Sequence, residues 1–373
     1  MKRVILISEH YYSSKRKAGF HFIADEFWKK GWSVIFVTNY VSWLSFLRGE
    51  RRFPKEILKR ILAEGNQLVQ IRERFYSYVW LTPWHPFNPA KLGIGPIDPL
   101  LRILFKYYGN LPLGILQKYL ADTSLFIFES TPGIMLFKRF KQINPAARYV
   151  YRISDDLKLL GRHPIVLETE QEIAPCFDLV SVPSEYFLKK FSNQTQVQLH
   201  YHGIDKQLFD QCTNSVYSSG PINSIFIGNS LLDVDFLDRA SRLFPDITFH
   251  VIGPFGNIPQ RQNIIRYGEL PFRQTIPFIK FADIGLHTLI YIRGAESFTD
   301  SLKVHQYTYC QLPIIAPNFL KTSRPHMFYY QPGDDNSIRE AFVLALQYDR
   351  TAINKNSVLS WEQLAQELAG ELW

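Results

Sequence analysis

The sequence predicts an α/β protein with two parallel-sheet domains of the Rossmann type, and two observations lead to that prediction. Short apolar runs alternate with amphipathic segments, a pattern typical of parallel strands covered by helices on both faces. The same pattern begins again after about residue 220, and a chain of 373 residues is long enough for two domains of ordinary size.

The first series of apolar runs predicts a domain over residues 1–206. Amphipathic segments such as Ile23 to Lys30 separate these runs. We assign strands to Val4 to Ser8, Ser33 to Thr38, Leu125 to Phe128, Arg148 to Ile153 and Leu179 to Val182.

The second series predicts a domain over residues 207–348. It opens with the Ser-, Asn- and Gly-rich stretch Gln207 to Pro221, which favours an irregular link, and residues 349–373 end in a helical pattern from Ser360 to Trp373. We assign strands to Ser224 to Ile227, Thr248 to Ile252, Ile264 to Tyr267, Ile284 to Leu286 and Pro313 to Ala316. Ligands of open parallel sheets collect outside the carboxyl ends of the strands, so we expect a cleft there.

Composition excludes several classes of protein. With 46% hydrophobic and 15% aromatic residues the chain is not expected to be disordered. Its three cysteines have no C-x-x-C spacing, which argues against a zinc site or a disulfide framework. No apolar run approaches the ~18 residues of a membrane span and no signal segment is recognisable, so we expect a cytoplasmic protein.

Positive charge is concentrated in the first half of the chain. Residues 1–175 contain 26 Lys and Arg against 15 Asp and Glu, whereas the remaining residues contain 16 against 19. The segments 43–53 and 100–108 interleave basic residues with Trp, Leu and Phe, which suits the surface of an anionic bilayer. A solvated helix face over a core stripe is the alternative. A nucleic-acid partner is not expected, because no known nucleic-acid motif is present.

An acidic pair, Asp155 and Asp156, directly follows the apolar run of a predicted strand. This position places the two carboxylates at the carboxyl end of the sheet, where one of them could act as a general base. The alternative is structural, with one acid capping the next helix and the other pairing with Arg152 or Lys158.

In the second domain, polar residues follow predicted strands and open predicted helices. Gly228, Asn229 and Ser230 follow a strand and could offer backbone N–H groups to a phosphate. Asp300 to Tyr307 predicts a helix start at which Ser301, Lys303 and Gln306 could meet a diphosphate. The D-x-D at 233–235 more simply caps a helix than binds a metal, and an ordinary exposed helix start is the alternative for 300–307.

Ordered matches along the chain resemble one family, the GumK-type glucuronosyltransferases of xanthan synthesis. The matches extend from near residue 10 to about residue 335. One of them is the stretch from Lys15 to Ile23, which resembles the family's basic loop before its first helix. The matching stretches are H-P-F-N at 85–88, F-E-S at 128–130, N-P-A-A-R-Y-V-Y-R-I-S-D at 144–155, H-G-I-D at 202–205, F-P-D-I-T-F-H-V-I-G at 244–253, Y-G-E at 267–269 and S-L-K-V-H-Q-Y at 301–307.

The resemblance implies a GT-B fold, with two Rossmann-like domains facing a central cleft and a C-terminal helix that packs back across it. It implies an inverting, metal-independent transfer of glucuronic acid from UDP-glucuronate in exopolysaccharide assembly. No cofactor is expected, since the UDP-sugar is a substrate. The implied acceptor is a polyprenyl-diphosphate-linked oligosaccharide at the inner face of the plasma membrane, with which the enzyme would associate peripherally.

The resemblance also implies site residues. The family's catalytic Asp falls on Asp155, while Asp156 stands where the family has Gly. The expected donor-binding residues are Gly228, Asn229, Ser230, Glu269, Leu270, Thr288, Ser301, Lys303 and Gln306, with Ser230 and Thr288 replacing a Met and a Tyr of the family. The expected acceptor-binding residues are Lys15, Arg16, His21, His85 and Glu129, with Lys17 beside them.

Two alternatives remain at this point. Because Ser230 and Thr288 differ from the family, the chain could be a GT-B transferase that uses another UDP-sugar. It could also be a non-catalytic protein that binds anionic surfaces through its basic half, although Glu269, Lys303 and Gln306 argue against that reading.

Overall fold

The structure is a computed structural model that describes residues 1–15, 17–47, 53–193 and 196–373. The basic side chain of Arg16 and most of the basic run at 48–52 therefore lie outside the described residues. Within the described ranges, every helix is too short or too polar to cross a membrane.

Helices and strands alternate along the chain. The helices are α1 (Gly19–Lys29), α2 (Trp43–Leu47), α3 (Lys55–Glu64), α4 (Asp98–Lys106), α5 (Gln117–Leu120), α6 (Phe137–Ile143), α7 (Pro164–Ile173), α8 (Glu185–Lys190), α9 (Lys206–Gln211), α10 (Val234–Leu243), α11 (Phe272–Lys280), α12 (Leu302–Tyr309), α13 (Asp335–Gln347) and α14 (Trp361–Ala369). The strands are β1 (Arg3–Ser8), β2 (Ser33–Ser42), β3 (Leu68–Arg72), β4 (Phe75–Thr82), β5 (Leu125–Glu129), β6 (Arg148–Arg152), β7 (Leu179–Val182), β8 (Val197–Leu199), β9 (Ile222–Ile227), β10 (Ile247–Ile252), β11 (Ile264–Gly268), β12 (Ile284–Leu286), β13 (Ile314–Pro317) and β14 (Met327–Tyr330).

The chain divides into two compact units, each with its own sheet. The first unit contains Met1–Pro183, Phe187–His200 and Trp361–Trp373, and the second contains Ser184–Tyr186 and Tyr201–Ser360. The first unit therefore includes α14, whose Trp361 ring stacks on Phe22 of α1 with ring centroids 5.0 Å apart.

The sheet of the first unit has the order β3-β4-β2-β1-β5-β6-β7-β8. All neighbouring strands are parallel except β3, which pairs with β4 in the antiparallel sense. The strand order reverses direction between β1 and β5, and such a switch point is where parallel sheets bind ligands.

The sheet of the second unit has the fully parallel order β11-β10-β9-β12-β13-β14. This is the Rossmann strand order, with its switch point between β9 and β12. Both faces are covered, because Ile225 of β9 packs into one buried apolar cluster and its neighbour Phe226 packs into the other. Buried strands of this kind read as continuous apolar runs.

The structure differs from the predicted elements in several places, and the strands β8 and β14 were not predicted. The first residues of the expected irregular link, 207–211, belong to α9, because Asp205 accepts a hydrogen bond from the Leu208 backbone N–H and caps the helix. The hairpin of β3 and β4 extends the first sheet beyond the predicted strands. The last long helix begins at Trp361, and residues 350–357 form short 3₁₀ turns that belong to the second unit.

Close packing between β12 and α12 depends on Gly285. A Cβ at this position would lie 2.5 Å from the ring of Tyr307, which is buried and whose hydroxyl donates a hydrogen bond to the carbonyl of Ile225 at 3.1 Å. We expect Gly285→Ala to lower the free energy of unfolding by about 1–3 kcal/mol through overpacking. Denaturant unfolding measures this change, and Gly256→Ala is the control, since a Cβ there meets nothing within 4 Å. Equal stability of the two variants would contradict the packing described.

Candidate active site

Polar side chains of the first unit meet at its switch point. Ser8 ends β1, Glu129 ends β5, and Ser154 and Asp155 follow the end of β6. Because β1, β5 and β6 are parallel neighbours, their carboxyl ends lie at one edge of the sheet. The acidic residue predicted from the apolar run is therefore located at the edge where ligands bind.

The Glu129 carboxylate is the centre of this cluster. It is only 3% exposed, and its Oε2 accepts hydrogen bonds from the Ser8 hydroxyl at 2.5 Å and from the Glu9 backbone N–H at 3.3 Å. Its Oε1 accepts one from the Ser154 hydroxyl at 2.9 Å and lies 3.6 Å from Nε2 of His10. Both carboxylate oxygens are occupied within the protein, so Glu129 does not present a free group to an acceptor.

Asp155 differs from Glu129 because its carboxylate reaches solvent. It is an exposed residue, and no described residue donates a hydrogen bond to its carboxylate. The surrounding protein, together with the negative charges of Glu129 and Glu9, raises its pKa to about 6, while His10 and Arg162 oppose the rise. Asp155 is thus ionised at pH 7, yet it is a stronger base than an ordinary aspartate.

Asp156 has a structural role. It is buried, its Oδ1 accepts a hydrogen bond from the Lys158 backbone N–H at 2.8 Å, and its Oδ2 pairs with Nζ of Lys190 at 3.1 Å. The predicted cap of the next helix is not found, because Asp156 accepts its hydrogen bonds within the turn that follows it and α7 is capped by His163. The cation paired with Asp156 is Lys190 rather than Arg152 or Lys158. Arg152 is buried and donates instead to Ser181 and to the carbonyl of His200.

The predicted acceptor-binding residues are not all available to a ligand. His21 is fully buried, with Nδ1 accepting from the Ala18 backbone N–H at 3.0 Å and Nε2 lying 3.2 Å from the Tyr11 carbonyl. Burial lowers its pKa to about 4, so the neutral ring holds the start of α1. His85 is buried, 2.9 Å from the Ser42 hydroxyl. Lys15 is exposed, and Arg16 lies outside the described residues.

In the second unit, the switch point is shaped by the close approach of two backbone segments. Gly228 follows β9, and its backbone N–H donates to the carbonyl of Ile252 at 3.1 Å. Gly253 has φ +148°, and a Cβ there would lie 2.0 Å from the Gly228 carbonyl oxygen. Only glycine fits Gly253, because the backbones that follow β9 and β10 lie in direct contact there.

Lys303 in the first turn of α12 points toward this loop. Its Nζ lies 4.2 Å from the centroid of the Phe226 ring, and a Cβ on Gly228 would be 3.5 Å from Nζ. No acidic side chain of the described residues pairs with it. The residue keeps some contact with solvent, but the protein packed around it lowers its pKa to about 7. An unpaired, desolvated ammonium at a helix N-terminus is suited to an anion.

Further polar atoms near this helix start lack partners in the protein. The hydroxyls of Thr288 and Ser301 and Nδ1 of His287 are buried without a hydrogen bond among the described residues. His287 was not predicted; its Nε2 lies 3.0 Å from the carbonyl of Phe298, and burial followed by the charge of Lys303 holds its pKa well below the usual range. These groups could bind a polar ligand beside Lys303.

The remaining predicted donor-binding residues differ in how deeply they are buried. Asn229, Ser230 and Glu269 are exposed after β9 and β11, Leu270 packs partly into the apolar core, and Gln306 is buried on α12. The structure thus gathers Gly228, Thr288, Ser301 and Lys303 around the switch point. Glu269 follows Gly268, whose carbonyl accepts from the Gly253 N–H at 2.8 Å.

Asp233 of the D-x-D sequence caps a helix, as predicted. Its Oδ1 accepts from the Phe236 backbone N–H at 3.0 Å, and its Oδ2 accepts from the Tyr330 hydroxyl at 3.0 Å. Asp235 pairs with Arg239 on the next turn of α10.

Several residues of the site could have been found by applying one rule consistently. Ser8 and His10 lie at the end of the predicted first strand, and His287 directly follows the predicted strand Ile284 to Leu286. The polar residues after every strand of a parallel sheet are candidates, not only the acids. Arg162 carries no such signal; it reaches Glu9 from the turn before α7 and lies 4.6 Å from the Tyr40 ring.

Comparison with known proteins identifies the first unit. Residues 6–183 match the N-terminal domain of the glucuronosyltransferase GumK. The chain is 29% identical to the UDP-glucuronate:glycolipid 2-beta-glucuronosyltransferase of Xanthomonas campestris pv. campestris. The aligned 360 residues cover 96% of this chain and 86% of the relative.

Solved structures show the fold. The α,α-trehalose-phosphate synthase (UDP-forming) of Burkholderia xenovorans, solved with glucose-6-phosphate, has a TM-score of 0.58 and 12% identity over 99% of this chain and 100% of its own. HepE of Anabaena, solved with UDP-glucose, has a TM-score of 0.59 and 11% identity over 100% of this chain and 99% of its own. The predicted GT-B fold is confirmed.

The state of Lys303 gives a pH prediction for anion binding. A bound diphosphate would raise the pKa of Lys303 above its value of about 7 in the free protein, so binding takes up a proton. Affinity is then highest below pH 7 and falls as pH rises, by up to about tenfold per unit. Calorimetric titration with UDP between pH 7.5 and 9 tests this expectation. Lys303→Arg is the control, because Arg stays charged and its affinity should not change over that range.

Proposed function

We propose, from its similarity to the GumK-type glucuronosyltransferases, that the chain transfers glucuronic acid from UDP-glucuronate to a glycolipid, with Asp155 as general base. The observation that carries this proposal is the Asp155 carboxylate. It reaches solvent at the carboxyl end of β6, accepts no hydrogen bond from any described residue, and has its pKa raised to about 6. These are the properties that a base needs near neutral pH.

The proposed reaction is a single displacement that inverts the sugar. Asp155 takes the proton of an acceptor hydroxyl, whose oxygen attacks the anomeric carbon from the face opposite UDP. The bond between that carbon and the diphosphate breaks, and the electron pair leaves with UDP. Lys303 and the backbone N–H groups at the start of α12 would stabilise the charge that grows on the diphosphate, so the transfer would need no metal.

The predicted donor-binding residues support the binding of UDP, but they say less about which sugar is attached to it. The unpaired ammonium of Lys303 suits a diphosphate, whereas Ser230 and the unpartnered hydroxyl of Thr288 stand where the family has larger side chains. Another UDP-sugar is therefore the second candidate. Titration with UDP-glucuronate, UDP-glucose and UDP-N-acetylglucosamine separates the two, since tightest binding of UDP-glucuronate is expected and preference for a neutral sugar would contradict the donor assignment.

A glycolipid acceptor requires access to a lipid surface, and α4 is the element we propose for that contact. Phe105 anchors this helix, being buried with its ring in edge contact with His163 at 5.0 Å. On the helix surface Leu100 is 71% exposed and Ile103 is 61% exposed, next to the exposed Lys106. Apolar side chains beside a cation suit an anionic bilayer, in this proposal the inner face of the plasma membrane.

The base assignment predicts a large loss of activity without loss of donor binding. We expect Asp155→Asn to lower kcat by about 100-fold to 10,000-fold, because the neutral amide cannot accept the proton. UDP affinity should stay within about twofold, since Lys303 is untouched. Transfer of labelled glucuronic acid to extracted glycolipid, with and without a metal chelator, measures both properties. Full activity of Asp155→Asn would remove the base, and loss of activity in chelator would remove the metal-independent mechanism.

The lipid contact predicts a variant with weakened membrane binding. Replacing Leu100 and Ile103 together by Ser should lower binding to vesicles of anionic phospholipid by about tenfold or more, because apolar burial is lost. Vesicle co-sedimentation measures the change, and UDP affinity should not alter. The matched control replaces Val343 and Leu344 of α13, which are 46% and 47% exposed. Equal vesicle binding of the two double variants would contradict the assignment of α4.

A further inference from the structure

The loop that carries Asp155 is held by Glu129, the last residue of β5, and by Ser130, the residue that follows it. The hydroxyl oxygen of Ser130 accepts hydrogen bonds from the backbone N–H groups of Ser154 at 3.0 Å and Asp155 at 3.1 Å. Glu129 accepts from the Ser154 hydroxyl at 2.9 Å. The backbone and side chain before Asp155 are therefore tied to the end of the neighbouring strand.

Glu129 also connects this loop to β1. The same carboxylate accepts from the Ser8 hydroxyl at 2.5 Å, and the oxygen of that hydroxyl in turn accepts from the His10 backbone N–H at 3.1 Å. A buried carboxylate that accepts hydrogen bonds from two other chain segments stays in place only while both keep their positions. Removing its charge would change both the geometry of the loop and its electrostatic environment.

Four charged or titratable groups act on Asp155, and they have opposite effects. Glu129 and Glu9 disfavour its ionised form, whereas His10 and Arg162 favour it. Arg162 and Glu9 pair with each other through Nη2 and Oε2 at 2.5 Å, so their effects partly cancel. His10 is 39% exposed at its side chain and lies 3.6 Å from Glu129, whose own side chain is 4% exposed. Glu129 is therefore the buried negative charge in the group.

We propose that Glu129 is a positioning residue that orients the Ser154 and Asp155 loop and sets the pH below which the base becomes protonated. This inference rests on the proposed function, in which Asp155 takes the acceptor proton. It replaces the predicted contact between Glu129 and the acceptor, because both oxygens of Glu129 already bind protein donors. Ser130 shares the orienting role through its two backbone contacts.

The test is the pH dependence of kcat for three variants and the wild type. In the wild type, activity should fall by half near pH 6 as Asp155 takes a proton. Glu129→Gln removes the charge and keeps the size of the side chain, so its half-activity point should move to lower pH by roughly half a unit or more. The acceptor KM of this variant should remain near the wild-type value.

Two further variants separate charge from position. Ser130→Ala leaves the charges unchanged but removes the acceptor for two N–H groups, so kcat should fall roughly 10-fold to 100-fold with the half-activity pH unchanged. Glu9→Gln removes a negative charge that does not hold the loop, so the half-activity pH should fall by less than in Glu129→Gln and the maximal kcat should stay the same. Thermal unfolding of each variant verifies that the domain is folded.

The results have distinct meanings. The inference is overturned if Glu129→Gln keeps the wild-type half-activity pH, or if its only defect is a raised acceptor KM, which would make Glu129 an acceptor ligand. Should Glu129→Gln not fold, Ser130→Ala and Glu9→Gln still test position and charge separately. If Asp155→Asn retains activity, it is the proposed function that fails, whatever the Glu129 variants show.

Discussion

The carboxylate of Glu129 is the interaction on which the first unit's site depends. It accepts hydrogen bonds from Ser8, Glu9 and Ser154 and so joins the ends of β1, β5 and the segment after β6. Burying a carboxylate is costly unless its oxygens are satisfied, and here they are. Burial by the surrounding protein, followed by the negative charges of Glu129 and Glu9, raises the pKa of Asp155 to about 6. Glu129 therefore connects the strand ends that form this edge and contributes to the basicity of Asp155.

In the second unit, the charged side chain at the switch point of the sheet is a cation and not an anion. Its switch point holds a desolvated ammonium, Lys303, that pairs with no acidic side chain of the described residues and lies beside Gly228, whose carbonyl is in close contact with Gly253. Burial lowers the pKa of Lys303 to about 7, so an anion is needed to restore its full charge near neutral pH. Each unit thus has, at the switch point of its own sheet, a charged side chain without a hydrogen-bonding or ionic partner among the described residues.

The sequence predicted the strand ends well, because continuous apolar runs followed by polar residues are a local signal. The positions of Asp155 and Gly228 after strands were predicted in this way, whereas Lys303 was predicted from a helix start and from the family resemblance; the roles of all three stay predictions. The role of His21 could not be found, because its two backbone partners, Ala18 and Tyr11, become neighbours of its ring only when α1 folds against the loop before it. Glu129 was predicted to contact the acceptor, and the sequence could not show that its carboxylate accepts hydrogen bonds from the hydroxyls of Ser8 and Ser154, which are distant from it in the chain.

The pKa values could not be predicted from the sequence either, because they too depend on which residues become neighbours when the chain folds. Both the pKa of Asp155 and that of Lys303 depend on how much protein surrounds the group, and the pKa of Asp155 depends also on charges distant in the chain. A neighbouring acid in the sequence, Asp156, is the one that pairs with Lys190 and caps the next turn, and it is not among the charges that raise the pKa of Asp155.

The most direct measurement of the central claim is the anomeric configuration of the product. Wild-type protein would be given UDP-α-glucuronate and a lipid-linked oligosaccharide acceptor, and the proton coupling at the new anomeric carbon read by NMR. A single displacement assisted by Asp155 predicts a β-linked glucuronic acid. An α-linked product would mean that configuration is retained, and would contradict Asp155 acting as the base of a single displacement.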